Sequence, residues 1–279
     1  LVLAKKLQGA NPGNPDALDL LSQAQFANDD TAGAVGSAEK LAVMLPKSAL
    51  AQFRLASLHM ALQNWSGAAY PLKKALAIKP DYLDATLASI MLETRKENYE
   101  GAIAISRQIQ KQHQKSPVGY IAEGDLLMKQ KNPAHAAKAY EQAFGISRNQ
   151  PLMVKLHASL TQAGKGKEAN SRLLHWLKES PNDVSIRMYL AEVYLADRQN
   201  RSAIEQYQII LRQDPKYVPA LNNLATTYQQ EKDPLALEYA EKAYKLAEDS
   251  PAILDTLGWI LLEQDNLARG LPLQQKANS

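Results

Sequence analysis

Residues 184–217 read VSIRMYLAEVYLADRQNRSAIEQYQIILRQDPKY, and the reading of this stretch decides the fold. Arg187, Leu190, Ala191 and Tyr194 stand at i, i+3, i+4 and i+7, one face of a helix. Ala203, Tyr207 and Ile210 then mark a second stripe of helical spacing. Asp214-Pro215 closes the segment, because the residue before a proline is pushed out of the right-handed helical region. The next stretch repeats the scheme, with Leu221, Leu224, Ala225 and Tyr228, then Ala236, Ala240 and Ala243.

The scheme extends outward in both directions. Pro12, Pro46 and Pro80 are 34 residues apart, as are Pro181 and Pro215. Ala34, Ala68, Ala102, Ala136, Ala169, Ala203, Ala236 and Gly270 follow one another at intervals of 33 or 34. A second small residue recurs in the first helix, at Ala56, Gly124, Ala191, Ala225 and Gly258. Small side chains at these two places let paired helices touch, and larger ones fill the space between neighbouring pairs. This is the tetratricopeptide (TPR) pattern. It predicts an all-α chain, a right-handed α-solenoid (superhelix) of helix-turn-helix repeats. The expected organisation is a single array over 1–279: a half repeat at 1–14, then repeats near 15–48, 49–82, 83–116, 117–150, 151–183, 184–217 and 218–250, and a partial one at 251–279. The unpaired helix at the start and the lack of a capping helix at the end suggest an array cut from a longer one.

Composition agrees. Of 279 residues 46% are hydrophobic, dominated by the strong helix formers Ala and Leu, with only three Phe and three Trp. The absence of cysteine excludes disulfides, cysteine-based zinc sites and thiol nucleophiles. A net charge of +3 spread over this length does not suggest nucleic-acid binding. No apolar run of about 18 residues occurs, and Leu1-Val2-Leu3-Ala4-Lys5-Lys6-Leu7 is too short and too charged to be a signal peptide. A signal peptide or lipid anchor would lie upstream.

No catalytic constellation survives inspection, so no catalytic residue, metal or cofactor is expected. Gly164-Lys165-Gly166-Lys167 lacks the Ser or Thr of a phosphate loop, since Glu168 follows, and reads as a tight turn between two helices. His59, His113, His135, His157 and His175 are dispersed without the i, i+4 pairing of a zinc helix. Asp29-Asp30 reads as a solvated acidic pair at an inter-helix turn.

The function is therefore expected on the concave face, lined by the first helix (helix A) of each repeat. The second, fifth, sixth, ninth, twelfth and thirteenth positions of each unit face it. They include Phe26, Phe53, Arg54, Met60, Met91, Arg95, Asp125, Met128, Met188, Tyr189, Glu192, Asn222, Asn223, Gln229, Asp255 and Trp259. Four of the six methionines fall here, and methionine adapts to varied apolar partners. The alternative is that these side chains pack between adjacent A helices. Chaperone-type TPRs grip a terminal carboxylate with Lys, Asn and Arg on three successive A helices. Asn223 matches the middle position, but Met188 and Glu192 before it and Ala252 and Thr256 after it do not, so that peptide class is not expected.

Several stretches carry a narrower likeness. They are Lys111 to Tyr120 running into Glu123-Gly124-Asp125-Leu126-Leu127, Leu156-His157 to Ala163-Gly164-Lys165, Trp176-Leu177-Lys178-Glu179, Leu221-Asn222-Asn223-Leu224-Ala225, and Ala243 to Ala247 followed by Ser250 to Trp259. Together they resemble the C-terminal region of the TPR lipoprotein of bacterial PEP-CTERM/exosortase systems. The resemblance implies a role in exopolysaccharide export and protein sorting. It also implies a periplasmic location and a membrane tether through a lipidated cysteine upstream of this chain. The leading expectation is a non-enzymatic scaffold for a protein or peptide partner of that machinery. One alternative is direct polysaccharide binding, with Phe53, Tyr189 and Trp259 stacking on sugars and Asn222, Asn223 and Gln229 bonding hydroxyls. Another is a cytoplasmic TPR adaptor.

Overall fold

The computed structural model describes residues 1–278, and among these the chain forms seventeen α-helices and no strand. After α1 (Val2–Ala10) come eight helical hairpins: α2 (Pro15–Phe26) with α3 (Thr31–Met44), α4 (Ala49–Ala61) with α5 (Trp65–Ile78), α6 (Leu83–Arg95) with α7 (Tyr99–Gln112), α8 (Val118–Lys129) with α9 (Pro133–Ile146), α10 (Gln150–Gln162) with α11 (Gly166–Glu179), α12 (Val184–Ala196) with α13 (Asn200–Gln213), α14 (Val218–Gln230) with α15 (Leu235–Leu246), and α16 (Pro251–Glu263) with α17 (Leu267–Ala277). The fold is an α-solenoid of tetratricopeptide-type hairpins. The first helix of each pair is helix A and the second helix B.

One turn joins A to B in every hairpin. Asp29, Gln63, Glu97, Lys131, Arg198, Lys232 and Asp265 take φ of 56–59°, and Gly164 takes 78°. Each left-handed residue sits just after helix A, and the following N–H reaches back five residues, as in Asn64 N to His59 O (2.8 Å) and Gln199 N to Tyr194 O (2.8 Å). This is the Schellman ending, which satisfies carbonyls that the helix leaves open. In the first three hairpins the next residue caps helix B with its side chain. Side-chain oxygens of Asp30, Asn64 and Asn98 accept the N–H of Gly33 (3.0 Å), Gly67 (2.9 Å) and Gly101 (3.1 Å). Asp30 thus differs from the solvated carboxylate expected of it: it caps α3 and also accepts from Gln25 Nε2 at 3.1 Å. The Gly164-Lys165-Gly166-Lys167 segment is the same turn, with α11 starting at Gly166.

The small residues stand where the hairpin halves meet. Ala56, Ala191, Ala203 and Ala225 have no exposed surface. At Gly124 a methyl group would run into the Tyr140 ring, so the aromatic of helix B lies directly against the helix A backbone. Contacts divide the chain into two compact units, Leu1–Leu152 and Met153–Ser279. A core in the first includes Ala56, Leu72, Ala75, Ala85 and Leu92. The second is built around Ala191, Ala203, Tyr207, Ile210, Leu224 and Leu257.

Candidate functional site

None of the helix A positions anticipated to face a partner is fully buried. In the first unit they gather in two clefts. Phe26, Phe53 and Arg54 line one of about 460 Å³. There Arg54 Nε lies 3.0 Å from Asp19 Oδ1, and Phe53 packs on Tyr82 with ring centroids 5.1 Å apart. Met91, Arg95 and Asp125 line the second, of about 570 Å³. Here Arg95 lies over the Trp65 ring at 4.9 Å, and Asp125 Oδ1 accepts from the Tyr140 hydroxyl at 2.6 Å. Burial, then the bond to Asp125, pushes the Tyr140 hydroxyl well above its ordinary pKa. Met60 is a packing residue, half-buried against Ala56, Leu72 and Leu92. Met128 is half-buried and lines neither cleft.

In the second unit Met188 also packs on the core. Tyr189 is held from below: its hydroxyl meets His157 Nδ1 at 2.9 Å, and His157 Nε2 meets Asn170 Oδ1 at 2.9 Å. Both ring nitrogens being engaged, this histidine positions the tyrosine rather than offering a free ligand atom. Tyr207 rises from α13 with no exposed surface. Its hydroxyl lies beside the Asn223 amide yet makes no hydrogen bond of ordinary geometry. Burial raises its pKa, the Asn223 amide lowers it, and the Glu192 carboxylate raises it again. Asn222 Oδ1 is likewise buried without a donor. Buried polar groups are normally paired, so each of these two atoms is a departure from the rule.

Between α14 and α16 lies a third cleft, of about 870 Å³, lined by Gln229 and Trp259. Glu263, which the sequence reading did not single out, organises it. Its Oε1 accepts from Trp259 Nε1 (3.1 Å) and its Oε2 from Gln229 Nε2 (2.9 Å). Asp255 is exposed on the same helix. Tyr207 is core, as its place in the apolar stripe reads, but its buried hydroxyl was not foreseen. The available signal was its pairing with an acid fifteen residues earlier, Tyr207 with Glu192, repeating Tyr140 with Asp125. Among the described residues no group of three or more His, Asp or Glu could hold a metal ion. No helix there is long and apolar enough to cross a membrane.

The two tyrosines make a paired test. Tyr140→Phe removes a short bond to a carboxylate, and should destabilise by about 1.5–3 kcal/mol. Tyr207→Phe removes a hydroxyl without a good partner and should leave stability within about 0.5 kcal/mol of the parent, or raise it. Urea unfolding of both variants checks this; equal losses would show that the Tyr207 hydroxyl is bonded after all.

Residues 20–82 and 188–251 match the tetratricopeptide repeat family. The chain is 26% identical over 153 residues to a TPR repeat-containing protein of Pseudomonas aeruginosa, a match covering 53% of this chain and 26% of that protein. It therefore spans about a quarter of that relative's length. Among solved structures it is similar to YrrB, a TPR protein with an unusual peptide-binding site (19% identity, 66% of this chain and 95% of that one, TM-score 0.43). It is also similar to MamA (17% identity, 55% and 91%, TM-score 0.45).

Proposed function

We propose that this solenoid of tetratricopeptide repeats, with family matches at 20–82 and 188–251, is a non-enzymatic scaffold that binds a protein or peptide partner on its helix A faces. The observation that carries this is the accessible polar set on the helix A faces of the second unit, where Glu192 is exposed and Asn222 and Asn223 are half-buried. A peptide backbone alternates N–H donors and C=O acceptors. The Asn223 amide N–H would serve its carbonyls, and the Glu192 carboxylate its N–H groups. The half-buried Met188 and Tyr189 at the same face supply apolar surface for side chains. Partner recovery on the immobilised chain should fall at least tenfold with Glu192→Ala combined with Asn223→Ala, while urea unfolding stays near the parent's. Undiminished recovery by this double variant would remove the site.

The finer reading concerns place. The likeness of the stretches between Lys111 and Trp259 to the PEP-CTERM/exosortase lipoprotein supports a partner in a bacterial envelope export or sorting system. The repeats would then lie in the periplasm, tethered through a lipidated cysteine upstream of Leu1. The gene upstream of Leu1 should encode a lipobox cysteine, and the full-length product should be digested by protease added to spheroplasts. A product protected from that protease would favour the cytoplasmic adaptor instead.

A further inference from the structure

The cleft between α14 and α16 has a chemistry of its own. Asp255, Trp259 and Glu263 stand at i, i+4 and i+8 on α16, all exposed, so an indole is flanked one turn away on each side by a carboxylate. Glu263 fixes the rim of the indole through Trp259 Nε1 and holds Gln229 with its other oxygen, and Trp259 as a residue is 54% exposed. Asp233 borders the same cleft. Among the described residues none of these three carboxylates is in an ion pair. The surroundings strengthen the bias. Residues 226–265 carry nine acidic against three basic side chains, in a chain whose net charge is +3. Lys232 is the one cation among the residues lining the cleft.

The indole N–H and the Gln229 amide are already engaged by Glu263, which leaves the aromatic face and the carboxylates beside the Gln230 and Gln264 amides and Lys232. Sugar hydroxyls both donate and accept. A guanidinium donates through five N–H groups, accepts nothing, is flat, and stacks on aromatic rings. The chain itself makes this pairing elsewhere, where Arg95 lies 4.9 Å over the Trp65 ring. We propose that the α14–α16 cleft takes an arginine side chain of a basic peptide segment, stacked on Trp259 with its N–H fork turned to Glu263. Asp255 and Asp233 draw in neighbouring cations of the same segment. The proposal rests on the peptide-binding reading above and narrows it to a ligand class for this cleft.

The test titrates the full chain with acetyl-(Gly-Arg)4-amide, with the same peptide carrying citrulline for arginine, and with maltoheptaose, following heat and tryptophan fluorescence. Citrulline keeps the shape and removes the charge. The arginine peptide should bind at least about tenfold more tightly than the citrulline peptide, and Trp259→Ala or Glu263→Gln should each weaken it about tenfold. Lys232→Gln should tighten it, and added salt should weaken it, as expected for partly exposed charges. Circular dichroism confirms that the surface variants remain folded. No binding of the arginine peptide, or binding indifferent to Trp259→Ala, overturns the proposal. Equal binding of both peptides that is lost only with Glu192→Ala and Asn223→Ala also overturns it, yet leaves the scaffold reading standing. Trp259-dependent binding of maltoheptaose would overturn it in favour of a saccharide site.

Discussion

Ala203→Pro should cost about 3 kcal/mol or more and unfold α13 together with the helices packed on it. Two effects add. The Ala203 N–H bonds the Gln199 carbonyl at 3.2 Å, and proline has no N–H to replace it. The pyrrolidine ring must also enter a site with no exposed surface, among Ala191, Tyr207, Leu224 and Ala225. The chain does carry prolines inside helices, Pro71 in α5 and Pro272 in α17, so proline in a helix B is not disqualifying by itself. The difference is the contact. Position 203 is where every hairpin has Ala or Gly, because helix B there touches helix A. In a solenoid each repeat leans only on its neighbours, so the damage should stay local. Hydrogen exchange should show lost amide protection in α12–α15 with α2–α7 still protected. A single cooperative melt near the parent's temperature would contradict both the magnitude and the locality.

That contact shows why the hairpins were legible before any coordinates. Ala203 and Pro215 recur by type as well as by spacing, and residue type alone conveys their roles: one lets helices touch, the other ends a helix. The start of α12 at Val184 follows directly from them. The A–B turn was less legible. Its left-handed residue is Asp, Gln, Glu, Lys or Arg in seven hairpins and Gly only at Gly164, so the usual glycine signal is missing. The turn is imposed by the two helices it joins rather than by local preference. The site was legible as a face and not as depth. Register places Met60, Met91 and Met188 on the same side of helix A, yet Met91 is 54% exposed while the other two pack on the core. Depth depends on how closely the next A helix approaches, which a single repeat does not encode.

Leu224→Ala should destabilise the second unit by about 2–5 kcal/mol, toward the upper end of that range. The cost of a large-to-small change depends on how far the surroundings relax into the vacated space. Leu224 has no exposed surface, and its buried neighbours include Ala191, Ala203, Ala220, Ala225 and Ala236, which have no side-chain length with which to follow. The small residues that bring the helices together therefore also keep the core from closing over a cavity. Met60→Ala makes the contrast. That side chain is half-buried at a face where water replaces it, so its loss should be well below that of Leu224. Urea unfolding of both variants compares them, and a Leu224→Ala cost no larger than that of Met60→Ala would mean that this core repacks freely. The consequence reaches the binding face. Tyr207 belongs to the cluster that Leu224 fills, and its hydroxyl is held under Asn223 by that packing. Loosening the ring should weaken partner binding in the variant even at temperatures where its helices remain formed. That would separate Leu224→Ala from the Glu192→Ala, Asn223→Ala double variant, which should lose binding without losing stability.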